Sequence, residues 1–158
     1  MTGAAARALA SLKAQGATVS VAESLTGGLI GATLTGVAGA SATFRGGVIA
    51  YATELKARLL GVPADLLERE GAVHPAVAVA MAEGVRDLTR SEYGLAVTGV
   101  AGPDPQDGKP VGTVHIAVRG PGNLVWHRDL RLSGDRAEIR TRTCQEALDL
   151  LAGVLEAN

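Results

Sequence analysis

Short apolar segments of strand character alternate with helix-length segments along most of this chain, and that order limits the fold more than any other feature. Ala17 to Ala22 alternates, with Val19 and Val21 opposite Thr18 and Ser20, as a strand does. An alanine-rich helix precedes it, with Leu9 and Leu12 on one face and Gly16 at its end. Glu23-Ser24-Leu25-Thr26-Gly27-Gly28 then leads into a second helical stretch through roughly Thr35, and residues 46–52 form the next strand. Leu55 and Leu59 share a face of a helix that Thr53 would cap and Gly61 would close. Pro63 fits the first turn of a short helix closed by Gly71. Pro75 opens a longer one, with Val77, Met81, Val85 and Leu88 on its buried stripe.

A strand at about 93–98 is followed by a proline-bearing loop from Gly99 to Pro110. Val111 to Arg119 and Leu124 to Leu132 then flank Gly120-Pro121-Gly122-Asn123, a hairpin signal. The last helix carries Cys144, Leu148, Leu151 and Leu155 at helical spacing. Helices interleaved with early strands, and an antiparallel pair late, predict a three-layer α/β/α domain. Its sheet is mixed, with helices on both faces. At 158 residues and without linker or repeat, residues 1–158 read as a single domain.

Composition narrows the function. The formal charge is −1, only 3% of residues are aromatic and no basic run occurs, so a nucleic-acid partner is not expected. No apolar run approaches a membrane span, and the N-terminus lacks the pattern of a signal peptide. The lone Cys144 has no disulfide partner, no Cys/His pair stands at zinc spacing, and Asp104 and Asp107 lack carboxylate partners. The expectation is a cytoplasmic protein without a metal or other cofactor.

Three loops at strand ends have the composition of ligand sites. In Glu23–Gly28, the hydroxyls of Ser24 and Thr26 and the Gly27-Gly28 pair either cradle a phosphate or carboxylate, or simply cap and turn the chain. Thr98-Gly99-Val100-Ala101-Gly102 permits close backbone approach, and also reads as a structural loop. In Ser133-Gly134-Asp135-Arg136, Ser133 or Asp135 caps the last helix, while Arg136 either grips an anion or is a solvated charge. A fourth constellation, Ser41, Tyr51 and Lys56, surrounds one strand and the helix after it. A serine hydroxyl with a neutral lysine as base is a metal-free hydrolytic pair. Their structural alternatives are a turn after Gly39, a core edge and a surface cation. His74 belongs to the entry of the helix opened by Pro75, and His115 and His127 read as structural.

The ordered motifs Ala22–Gly28, Tyr51-x-x-x-x-Lys56, Thr98–Pro103 and Lys109-Pro110-Val111-Gly112-Thr113-Val114, with Ser-Gly-Asp-Arg after them, resemble the CinA C-terminal domain. This is the competence/damage-inducible protein family, whose stand-alone members are nicotinamide-nucleotide amidohydrolases. The resemblance runs from about Ala6 to Leu155. It implies hydrolysis of the carboxamide of nicotinamide mononucleotide to nicotinic acid mononucleotide and ammonia. It also implies Ser41 as nucleophile, Lys56 as base and Tyr51 as helper. Substrate contacts would come from Glu23, Ser24, Thr26, Gly27, Thr98, Gly99, Gly102 and Arg136. A homodimer through the alanine-rich terminal helices is expected from composition and family habit. The chain departs from the family at Leu25, commonly Cys, at Ala52-Thr53, commonly Ser-Asn, and at His74, commonly Ser. The nucleotide-hydrolysing domain of the larger family protein is not expected in these residues. A non-catalytic nucleotide-binding module of the same fold is the alternative, and direct action on DNA is disfavoured by the charge.

Overall fold

The computed structural model describes residues 2–158. Its strands are β1 (Val19–Glu23), β2 (Phe44–Ile49), β3 (Tyr93–Gly99), β4 (Thr113–Arg119) and β5 (Val125–Arg131), arranged β2-β1-β3-β4-β5. β1 pairs in parallel with both β2 and β3, whereas β3–β4 and β4–β5 are antiparallel. β4 alone runs against the rest. The sheet is mixed, with the late hairpin where the turn signal places it.

Helices α1 (Thr2–Gln15), α2 (Leu29–Thr35) and α6 (Arg136–Glu156) cover one face, packing on Val19, Val21, Leu95, Val97, Ile116 and Val118. Helices α3 (Thr53–Leu60), α4 (Ala64–Glu70) and α5 (Pro75–Thr89) cover the other, where the sheet presents Ala22, Ala96 and Ala117. The faces differ in what they bury, because strand neighbours point to opposite sides. Branched residues fill the first face, and small ones let α5 lie close on the second. A Cβ at Gly94 would run into the Ala82 carbonyl oxygen of α5.

The inner face of the alanine-rich helix α1 is used within the chain, while Ala6, Ala10 and Ala14 lie on its exposed side. Ala4, Ala5, Ala8, Leu9 and Leu12 of α1 are buried in the same core as Leu148, Leu151 and Leu155 of α6. Small side chains let these two helices pack closely within one chain.

Several local expectations shift. β2 begins at Phe44 and ends at Ile49, rather than covering 46–52. Thr53 is the first helical residue of α3, not its cap; Ala52 holds the cap position without a side-chain hydrogen bond. The buried face of α3 is Lys56 and Leu60, while Leu59 is 45% exposed. Leu88 likewise is 57% exposed at the far end of α5. Strand β4 starts at Thr113 instead of Val111, because Pro110 lacks a donor and Gly112 has a φ of 90°. Other signals hold. His74 caps α5, its Nδ1 accepting the Ala76 N–H at 3.1 Å, and Asp135 caps α6 in a capping box with Glu138.

One consequence of the topology positions the site. β1 delivers the chain to α2 on one face and β2 delivers it to α3 on the other. The two connections part at the carboxyl ends of neighbouring parallel strands, which opens a crevice there. β3 ends beside it, at Gly99.

Candidate active site

The floor of the crevice is Ser24, the first residue past β1, and beneath it lies Lys56. The Lys56 side chain is 1% exposed. Its Nζ donates to Ser24 Oγ at 2.9 Å, to the Ala50 carbonyl at 2.6 Å and to the Tyr51 carbonyl at 3.3 Å. Three acceptors match the three donors of an ammonium. Two of them are carbonyls, which can only accept. A neutral Lys56 would therefore keep its two N–H bonds to Ala50 and Tyr51 and turn its lone pair toward Ser24 Oγ.

Burial pushes the Lys56 pKa down from an ordinary 10.5 to about 8, with the Asp107 carboxylate partly opposing the shift. Asp107 is itself held, its Oδ2 accepting the Ala72 N–H at 3.2 Å.

Glu23 explains why Ser24 is so placed. Its buried carboxylate accepts the N–H groups of Gly28 at 3.1 Å, Ile30 at 3.0 Å and Gly31 at 2.9 Å. An acid at the end of β1 thus satisfies the open amides at the start of α2. The turn between them is closed by Gly27 N–H donating to the Ser24 carbonyl at 3.1 Å. Its two glycines have positive φ, 58° at Gly27 and 108° at Gly28, which other residues rarely adopt.

Above Ser24 lies a cleft of about 360 Å³, within the range of small-ligand sites. Its walls are Ser24 and Leu25, Tyr51, the loop 99–106 and Arg136. Arg136 spans the mouth. Its Nη2 donates to Tyr51 Oη at 2.9 Å and its Nη1 to the Gly102 carbonyl.

The structure brings only some of the expected site residues together. Ser41 is exposed on a single 3₁₀ turn, Ala40–Ala42, that precedes β2, and it lines a separate depression with Thr35, Val37 and Phe44. It makes no hydrogen bond to Lys56, which follows β2. The six residues of β2 alone span about 20 Å. The hydroxyl within reach of Lys56 belongs to Ser24. Tyr51 stands at the mouth, 60% exposed, and gives Lys56 its carbonyl rather than its phenol.

Glu23 accepts three amides at the start of α2 and does not line the cleft. Thr26 is fully buried and does not line the cleft, and its Oγ1 has no partner among the described residues. Gly27 shapes the turn without lining the cleft. Thr98 donates its hydroxyl to the Ala72 carbonyl at 2.8 Å, tying β3 to the loop before α5. Ser24, Gly99, Gly102 and Arg136 do line the cleft. His115 and His127 lie on the sheet, beside Asp129.

Two contributors escaped the sequence reading. Asp107 acts on Lys56 from 51 positions away by through-space charge, which no motif records. Arg140 donates from α6 to the Leu25 and Thr26 carbonyls at 2.9 and 3.2 Å. Ser24 itself carried a signal, since a serine directly after a strand, on a glycine turn into a helix, is a common posture for a nucleophile.

A three-layer α/β domain with a buried serine–lysine pair under a strand-end cleft is thereby defined. The family model described as the CinA C-terminal domain matches residues 1–155, and the chain belongs to this family. It is 57% identical over 139 residues to a CinA-like protein of Frankia casuarinae, covering 88% of this chain and 32% of that protein. It is 51% identical over 141 residues to a putative competence-damage inducible protein of Desulforamulus reducens, covering 89% of this chain and 34% of that one. The chain therefore spans about a third of the length of these curated relatives.

Among solved structures, competence/damage inducible protein CihA from Agrobacterium tumefaciens superimposes with a TM-score of 0.93 at 38% identity, covering 98% of this chain and 94% of that one. A CinA superfamily protein from Klebsiella pneumoniae gives a TM-score of 0.94 at 30% identity, covering 99% and 98%. Among the described residues no helix is long and apolar enough to cross a membrane.

Proposed function

We propose that this chain hydrolyses the carboxamide of nicotinamide mononucleotide, giving nicotinic acid mononucleotide and ammonia, with Ser24 as nucleophile and Lys56 as base. The observation that carries the reading is the buried Lys56 Nζ, 2.9 Å from Ser24 Oγ at the floor of a cleft. A lysine held near neutrality by burial needs no metal to activate a hydroxyl. The choice of substrate comes from the family resemblance, and an amide whose leaving group must collect a proton suits this pair.

In this mechanism Ser24 Oγ attacks the carboxamide carbon while Lys56 Nζ takes its proton. The tetrahedral intermediate collapses, the C–N bond breaks, and Lys56 returns the proton to the departing ammonia. Water, deprotonated by Lys56, then attacks the ester on Ser24; as the C–O bond breaks, Lys56 gives that proton to Ser24 Oγ, releasing the acid and restoring the serine. Arg136 is the cation among the cleft-lining residues, and it would exchange the Tyr51 hydroxyl for phosphate oxygens. Tyr51 orients Arg136 in this scheme and carries no proton.

The test is ammonia release from nicotinamide mononucleotide, its riboside and NAD. Turnover of the mononucleotide well above the other two is expected. No ammonia from any of the three, or full turnover in Ser24→Ala, would sink the proposal.

A further inference from the structure

The peptide units that follow Ser24 are held from two directions. The Ser24 carbonyl accepts Gly27 N–H at 3.1 Å. The Leu25 carbonyl accepts Arg140 Nε at 2.9 Å, and the Thr26 carbonyl accepts Arg140 Nη2 at 3.2 Å. Arg140 stands on α6 one turn beyond Arg136, so its guanidinium approaches from the helical layer while Arg136 lines the cleft. A Cβ at Gly27 would sit 3.4 Å from Arg140 Nη2, so the turn and the fork lie close together.

A peptide unit is planar, so fixing its carbonyl fixes the N–H at its other end. Leu25 is thereby pinned on both sides, by the Gly27 bond before it and the arginine fork after it. Leu25 lines the cleft, and its N–H donates to no acceptor among the described residues. The amides at the start of α2 are unlike it, because Gly28, Ile30 and Gly31 all donate to Glu23. The amide left next to the nucleophile is the one that Arg140 and the turn hold still.

We infer that Arg140 is a positioning residue: by clamping the Leu25 and Thr26 carbonyls it aims the Leu25 N–H at the oxygen that turns negative when Ser24 Oγ attacks a carbonyl carbon. The inference rests on Ser24 as nucleophile, and not on which amide is the substrate. Donors fixed before the reaction are effective because they need no reorganisation as the charge develops. A one-ångström displacement of such a group is enough to slow the chemical step.

The test uses the full chain with Arg140→Lys and Arg140→Ala, the lysine variant keeping the charge but not the two-pronged fork. With nicotinamide mononucleotide, kcat should fall at least about tenfold in both, with KM within about twofold. The pH midpoint of activity should stay where it was, and added guanidinium should restore part of kcat in Arg140→Ala alone. The rate at which phenylmethanesulfonyl fluoride labels Ser24, followed by peptide mass, should fall with kcat. A merely structural arginine would raise KM and move the midpoint together with kcat, and that pattern overturns the inference. So does an unchanged kcat with an unchanged labelling rate. Absence of ammonia from the unaltered chain would sink only the amidase reading, since labelling of Ser24 still compares the variants.

Discussion

Two serines stand at opposite ends of the β1–β2 pair, and their surroundings could hardly differ more. Ser41 is close to Lys56 in sequence, but it lies exposed on a turn that β2 carries away from the lysine. Ser24 is 32 positions from Lys56, yet its hydroxyl is hydrogen-bonded to it. Parallel pairing produces this inversion. It brings the carboxyl ends of β1 and β2 together and leaves the entry to β2 at the opposite end of the strands. Chemistry gathers where connections diverge and amides are open, not where residue types cluster along the chain.

The sharpest way to break this contrast is to remove each hydroxyl in turn. Ser24→Ala should lower ammonia release by about a thousandfold or more, while Ser41→Ala should remain within about twofold of the unaltered chain. The reverse outcome would return the nucleophile to the far end of the sheet.

Lys56→Met comes next, at a cost of about a hundredfold or more in turnover. In the unaltered chain, activity should climb as the pH passes about 8 and level off above it, because the base must be neutral. Stability should follow the same group. Folded Lys56 loses its proton near pH 8 and unfolded Lys56 near 10.5, so between these values the unfolded chain binds more protons and stability rises with pH. Below pH 8 both forms are protonated, and burial of the ammonium weighs against the fold by something on the order of 3 kcal/mol. Denaturant titrations should therefore show that rise in the unaltered chain and lose it in Lys56→Met. An identical rise in both would mean that Lys56 is not the titrating group.

Glu23→Ala tests the scaffold beneath Ser24. Loss of three charge-assisted bonds should destabilise the chain by about 2 to 3 kcal/mol in denaturant melts. Smallest is Tyr51→Phe, which frees Arg136 at the mouth. It should change KM by a few-fold and stability by less than about 1 kcal/mol. A collapse of kcat in Tyr51→Phe would restore the proton-carrying role that its exposed phenol argues against.

Much of the architecture was legible because period and punctuation are local properties. Val19 and Val21 alternate with Thr18 and Ser20, Gly16 and Gly61 stop helices, and Asp135 was one of two caps offered for α6. The hairpin was legible from Gly120 to Asn123 for the same reason. Misreadings fell where tertiary packing overrode local pattern. α3 turns Lys56 inward and Leu59 outward, an orientation that hydrophobic periodicity argues against and that Ser24 and two carbonyls make tolerable. Glu23 and Thr98 read as ligand contacts, because a sequence does not show whether a polar side chain already has a partner.

By itself, then, the sequence determined the order and kind of the elements, the late hairpin, the loops near which a ligand would bind, and Lys56 as the residue to watch. Each of these follows from near neighbours or from a motif. Only the tertiary structure decided that Ser24 and not Ser41 meets that lysine, that Glu23 and Thr98 serve the fold, and that Arg140 grips the turn. Those outcomes depend on which strand lies beside which, and on the burial that lowers the Lys56 pKa. Burial arises only once both helical layers have closed over the sheet.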